Sequence, residues 1–190
     1  MPLNFETSPV AVARELLGWT LLVDGVGGII VETEAYDADD AASHSFGGRR
    51  SARNAAMFGP PGHAYVYLSY GLHWCLNFVC REAGHGAAVL VRALQPTQGL
   101  DVMRARRGQQ APRLLASGPG RVGQALGIDR SFDGLPLAQP PFELVAPARA
   151  PDVTCGARIG ITKAADLPWR FGIAGSPYLS KPFNAARPTA

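Results

Sequence analysis

Lysine is nearly absent from this chain. Of 18 basic residues among 190, only Lys163 and Lys181 are lysines and the rest are arginines. Chemistry that runs through an imine needs a lysine amine, so it has at most two candidates here. Cysteine is scarce too. Cys75, Cys80 and Cys155 make an odd set, which excludes a disulfide framework and a four-thiolate cluster and reads as small buried residues in a reducing compartment. No stretch approaches the roughly 18 uncharged apolar residues that cross a membrane. The opening MPLNFETSPV has no basic region followed by an apolar one, so no signal peptide is expected, and the expected location is the cytoplasm. His44, His63, His73 and His85 lack the spacing of a zinc site, and neither metal nor other cofactor is expected.

Charged residues are few, 17% of the chain against 47% hydrophobic. That balance over 190 residues supports one good core and not two, so a single domain spanning 1–190 is expected. The charges are unevenly placed. Residues 1–43 hold one Arg against eight Asp and Glu, whereas residues 44–130 hold eleven Arg against three acids. A basic middle segment fits a polyanionic partner, because phosphate neutralisation dominates nucleic-acid affinity. It fits equally an arginine-rich solvated surface.

Ser8-Pro9 ahead of Val10, Ala13, Leu16 and Leu17 predicts a capped helix ending at Gly18. Strands are expected over 19–23 and 28–35, joined through Asp24-Gly25. Residues 37–62 form the longest irregular stretch, and so long a connection inside a compact domain is usually functional. Strands follow over 64–69 and 72–79 around Tyr70-Gly71, and another over 87–93 leading to a helix from Pro96 to about Arg107. Ser117-Gly118-Pro119 opens a further helix, and short strands are expected near 142–145, 157–162 and 170–173. Strands joined by short turns, with helices inserted rather than alternating, predict an α+β domain with a curved, largely antiparallel sheet.

Two segments bear on chemistry. In Val31-Glu32-Thr33-Glu34-Ala35-Tyr36, strand alternation puts Glu32, Glu34 and Tyr36 on one face and Thr33 and Ala35 on the other. That face fits a solvated surface with an ion pair as well as a cleft holding a general base beside an aromatic wall. In Tyr65-Val66-Tyr67-Leu68-Ser69-Tyr70-Gly71, alternation pairs Tyr65 with Tyr67 and sets Tyr70 opposite, beside the turn. Aromatic residues sandwich nucleobases and wedges from hairpins unstack base steps, although tyrosine-rich strands are also ordinary in β proteins.

The stretches VETEAYDADDAASHSFGGRRSARNAAMFGPPGHAYVYLSYGLHWCLNF, AAVLVRALQP, ASGPGRVGQALGIDRSFDG and ARIGITKAADLPWRF, followed by GSPYLS, resemble alkyladenine DNA glycosylases, in the family's order over about residues 11–180. The likeness is to the mixed α/β family with a protruding, DNA-inserting hairpin. It implies a monofunctional hydrolase that flips damaged purines out of duplex DNA and excises them. Glu34 would activate water, with Arg92 helping to hold that water and the main-chain carbonyl of Ile159 as a further contact. Tyr36 and Tyr67 would stack the extruded base, His44 would close the pocket, and Asn77 would exclude normal purines by clash. Tyr70 would fill the gap left in the duplex. Arg49, Arg53, Arg121 and Arg130 would contact the DNA backbone, with Met57 and Leu72 near the DNA surface. The partner implied is duplex DNA containing damaged bases, met by a monomer associated with a bacterial nucleoid, with no membrane and no obligatory protein partner. The loop from Glu34 to His44 is one residue shorter than in better-known members, and the turn Arg81–Gly86 is longer. Leu72 and Trp74 also depart from the pattern.

These residue types suit the reaction. Breaking a purine N-glycosidic bond builds positive charge on the sugar and negative charge on the departing base. A carboxylate beneath the sugar takes a proton from water and opposes the developing charge. An arginine can hold carboxylate and water without competing for that proton, because it stays charged. Two other classes use parts of the same surface: a non-catalytic damage-binding module and a small-molecule nucleoside hydrolase.

Overall fold

The computed structural model describes residues 3–183. Ser8 caps the first helix, α1 (Pro9–Glu15), by accepting the Ala11 N–H on its side chain. The strands β1 (Thr20–Val23) and β2 (Val26–Tyr36) form a hairpin whose two-residue loop is the expected Asp24-Gly25. The second hairpin comprises β3 (Ala64–Ser69) and β4 (His73–Cys80), and β5 (Ala87–Gln98) returns beside it. Three helices follow, α2 (Leu100–Arg107), α3 (Pro112–Leu115) and α4 (Pro119–Leu126), then the short strands β6 (Phe142–Val145), β7 (Val153–Gly156) and β8 (Arg170–Ile173). The sheet runs β3-β4-β5-β2-β1-β6, and every pairing is antiparallel. This is the expected α+β architecture.

Strand β2 is the hub. One edge pairs with β5 along most of its length; the other pairs with β1 over its first half and with β8 over Glu32–Glu34. Register shifts against β5 flank Glu32, and such bulges bend and re-aim a strand. The sheet is thereby curled at the point where the acidic residues lie.

Alternation then divides the sheet into two faces. Ala35, Val66, Leu76, Phe78, Val89 and Val91 turn toward the helices and join the main core with Leu16, Met103, Val122 and Leu126. Thr33 shares that face, its hydroxyl donating to the Ala13 carbonyl of α1 at 2.8 Å. The opposite face carries Glu34, Tyr36, Tyr65, Tyr67, Cys75, Asn77, Leu90 and Arg92. Helix α4 packs on β4 so closely that a Cβ at Gly123 would lie 2.1 Å from the Trp74 carbonyl oxygen.

Two expectations are corrected. Pro96 does not begin a helix: β5 continues to Gln98, with Pro96 opposite Gly28 next to a register shift. A proline lacks the ladder donor, and an irregularity is where a strand tolerates it. The strand expected over 157–162 is displaced to Val153–Gly156, and 157–162 is irregular chain. Its apolar residues alternate as in a strand, but the side chain of Arg158 and the backbone of Ile159 are committed to the site. No described helix is long and apolar enough to cross a membrane.

Candidate active site

Glu34 leaves β2 on the open face and is fully buried. Its Oε2 accepts from the Tyr36 hydroxyl at 2.9 Å and from Arg92 Nη1 at 3.0 Å; its Oε1 accepts from the Ile159 N–H at 2.7 Å. The carboxylate itself sits just behind a cavity of about 690 Å³, whose wall includes its three partners Tyr36, Arg92 and Ile159. The reading of this face as solvated surface is therefore excluded: Glu32 and Glu34 have no exposed area. Ile159 meets Glu34 through its N–H, where the resemblance implied a carbonyl contact to water.

The charge balance is tight. Arg92, 6% exposed, bridges Glu34 and Glu32, and Arg170, 4% exposed, makes a second contact with Glu32 at 2.7 Å. Burial opposes the charge on Arg92, but the carboxylates of Glu34 and then Glu32 outweigh it and push the guanidinium above its ordinary value. Tyr36 is pushed well up, by burial first and by Glu34 second, so its hydroxyl remains a donor to that carboxylate.

The rest of the cavity is aromatic and polar. Tyr67 lies edge-on to His44 at 4.6 Å and tilted against Tyr65 at 5.5 Å. His44 Nδ1 shares a 2.8 Å hydrogen bond with the Tyr65 hydroxyl, which sets the ring at the mouth despite the shortened loop. Burial, then the nearby charge of Arg53, lowers the His44 pKa from its ordinary value. The loop carrying His44 is held by Asn54, whose amide donates to the carbonyls of His44 and Arg49 at 3.0 Å each, and by Ser45, whose hydroxyl donates to the Gly86 carbonyl at 2.6 Å. Asn77, buried, donates to the carbonyls of Tyr65 and Cys75 at 3.0 and 3.3 Å, so its amide orientation is locked.

Outside the cavity the β3–β4 hairpin projects Tyr70, 89% exposed, and Leu72, 75% exposed. Alternation placed Tyr70 on the face opposite Tyr67, but its left-handed backbone (φ 51°), followed by Gly71 (φ 69°), breaks the alternation, and Tyr70 lines the same cavity mouth. Arg53 donates to the Leu68 carbonyl at 2.9 Å and lies over the Tyr67 ring, and Arg130 reaches the Ala52 carbonyl at 3.4 Å. Arg121 lies across the hairpin, beside a smaller cavity shared with Tyr70 and His73. Arg49 is exposed on the loop before Asn54. Met57, expected near the DNA surface, is instead 2% exposed and lines the cavity against Tyr65 and Ala88; its 3-10 turn directs it inward.

Sequence reading missed Asp40, Arg158, Arg170 and Ser180. Arg158 forks onto Asp40, donates to the Ala35 carbonyl at 2.8 Å, and lies over the Tyr36 ring at 4.6 Å. This pair fixes both the loop carrying Ile159 and the back of Tyr36. A signal was present: Arg158 and Arg170 each sit between apolar neighbours, where a charge implies burial with a partner.

A buried carboxylate held by an arginine at the wall of a tyrosine-lined cavity, beneath an exposed hairpin flanked by arginines, is the layout of a base-excising hydrolase. A family model described as methylpurine-DNA glycosylase matches residues 3–177, and the chain belongs to that family, whose members are hydrolases of N-glycosyl bonds. A protein of Nitrosospira multiformis, provisionally named a 3-methyladenine DNA glycosylase, is 63% identical over 182 residues, covering 96% of this chain and 94% of its own. One of Rhizobium meliloti with the same provisional name is 62% identical over 179 residues, covering 94% and 95%.

Proposed function

We propose that the chain flips alkylated purines from duplex DNA into the tyrosine-lined cavity and hydrolyses their N-glycosidic bond, with Glu34 as the base that activates water. The observation that carries this reading is the Glu34–Arg92 pair at 3.0 Å behind the cavity wall, where a carboxylate is kept beside a fixed cation at the floor of an aromatic pocket. Water approaches at the seam between Arg92 and Ile159, gives its proton to Glu34, and adds to the sugar carbon as the base departs. Alkylation at N3 or N7 makes the base cationic, which favours both its departure and its attraction to the faces of Tyr36 and Tyr67. Arg49, Arg53, Arg121 and Arg130 hold the phosphate backbone around the hairpin, Tyr70 and Leu72 meet the base stack, and Asn77 screens the base edge. The product is an abasic site in an unbroken strand, since Lys163 and Lys181 are both exposed and neither lines the cavity. The protein acts as a monomer on cytoplasmic chromosomal DNA.

Glu34→Gln tests the assignment. Base release from a duplex carrying 7-methylguanine should fall by about 10²–10⁴-fold while lesion binding persists. Unchanged release would remove Glu34 as the base, and a wild-type protein that binds lesion duplex without releasing base would be a damage-binding module instead.

A further inference from the structure

Behind the cavity, Glu32 is fully buried and lines none of the space that substrate would enter. Its Oε1 accepts from Arg92 Nε at 3.2 Å, Arg170 Nε at 2.7 Å and Ser180 Oγ at 2.7 Å, and its Oε2 accepts from the Ser180 N–H. Arg92 is divided between the two carboxylates, with Nε on Glu32, Nη1 on Glu34 and Nη2 3.4 Å from Ser180 Oγ. The segment 178–183 closes this arrangement from outside. Arg170 donates to the Lys181 carbonyl and lies 3.9 Å from the centre of the Phe183 ring, which packs over Gly172. A second buried carboxylate is costly, and hydrolysis at Glu34 does not call for one. Something else retains it.

We propose that Glu32, Arg170 and Ser180 are positioning residues that fix how the charge of Arg92 is shared between Glu32 and Glu34, and so set the electrostatic support given to the base. The proposal rests on the reading of Glu34 as that base. Glu32 anchors Nε, which turns the guanidinium plane so that Nη1 faces Glu34. Arg170 and Ser180 satisfy Glu32, so that it does not draw Arg92 away. The charged and titratable groups around Glu34 are Glu32 and Tyr36 on its own strand, Arg92 on β5, Arg170 on β8, Arg158 on the loop after β7 and Tyr67 on β3. Of these, Glu32 and Arg170 can be altered without touching any atom that contacts Glu34.

The two alterations have opposite electrostatic consequences. In Glu32→Gln a neighbouring negative charge is lost and Arg92 acts wholly on Glu34. In Arg170→Gln, Glu32 loses its second cation and competes harder for Arg92. Single-turnover base release from a 7-methylguanine duplex should be followed against pH, because this lesion carries a fixed positive charge below neutrality. The acidic limb of the profile should move to lower pH in Glu32→Gln and to higher pH in Arg170→Gln, by about one pH unit each, and return near its wild-type position in the double variant. Ser180→Ala removes a hydroxyl and no charge, so it tests the same idea if the charge variants fail to fold. Its limb should move in the direction of Arg170→Gln, and Ser180→Thr should restore it. Limbs that stay put, or move in one common direction with loss of melting temperature, overturn the proposal and leave the network as packing alone. Glu34→Gln, run alongside, separates the premises: retained base release in that variant defeats the catalytic reading itself, whatever the network variants do.

Discussion

Tyr70 holds a left-handed backbone (φ 51°) that aromatic residues rarely adopt, and it is 89% exposed. Such strain persists only where surrounding structure imposes it, and here the Ser69 carbonyl closes the turn by accepting the Leu72 N–H at 3.0 Å. An exposed aromatic ring on such a turn contributes little to folding, yet in the wedge role proposed for Tyr70 it would replace stacking worth a few kcal/mol when a nucleotide leaves a duplex. Tyr70→Ser should therefore change stability by only about 0.5 kcal/mol. It should weaken flipping on a fully paired lesion duplex, and a bulged lesion should recover part of the lost rate. A large fall in melting temperature, with duplex and bulge equally impaired, would make Tyr70 a structural residue. Glu34 and Tyr36 are the contrasting case. Their proposed roles need burial, and their geometry depends on Arg92 of β5 and on the adjacent Arg158 and Ile159, which come from two distant parts of the chain.

At the scale of elements, the cavity exists because β2, β3, β4 and β5 present alternate residues to opposite sides, and because α4 clamps the back of β4. The clamp depends on a missing side chain at Gly123. Gly123→Ala would drive a Cβ to 2.1 Å from the Trp74 carbonyl, an atom of strand backbone that cannot turn aside. The expected loss is about 1–3 kcal/mol or more, as for other overpacked interiors, measurable by urea unfolding. Stability equal to wild type would mean that α4 can shift freely on the sheet. The hairpin of β1 and β2, the cap at Ser8 and the strands 64–69 and 170–173 were legible from local pattern, because turn and cap chemistry act within a few residues. The end of β5 and the placement of β7 were not. Pro96 stops a helix-forming or strand-forming run only when its neighbours need the missing N–H, and that depends on the partner strand. The alternating run at 157–162 is claimed by Asp40 and Glu34, which lie more than 100 residues away.

For the whole molecule, three buried tyrosines, together with the thiols of Cys75 and Cys80 that burial likewise pushes up, set the alkaline limit. Tyr36, Tyr65 and Tyr67 have pKa values raised from 10.0 chiefly by burial. Groups raised in the folded state contribute stability that is complete below their unfolded value and is lost as pH climbs toward the folded one. Above about pH 10 the unfolded chain sheds phenolic protons that the native chain keeps, at up to about 1.4 kcal/mol per group and pH unit. At about 2–4 °C per kcal/mol for this size, these three phenols alone should lower the melting temperature by about 5–10 °C between pH 10 and 11, with their own phenolate absorbance rising only as the protein unfolds. Phenolate appearing in the native baseline for all five tyrosines would show that the cavity admits water freely.

The sequence by itself determined the reaction class, the helix and strand pattern apart from the end of β5 and the place of β7, and the choice of Glu34, Tyr36, Tyr67 and Tyr70 as the residues of interest, because those features reside in contiguous motifs. The tertiary structure alone decided how those residues are held. Whether Glu32 and Glu34 face water or a buried cation is a question of long-range charge pairing, and their partners Arg92, Ile159, Arg170 and Ser180 are brought to β2 by β5, β8 and the segments flanking β7 and β8. Strand alternation selects a face from local sequence, but only the opposing strands decide what that face meets.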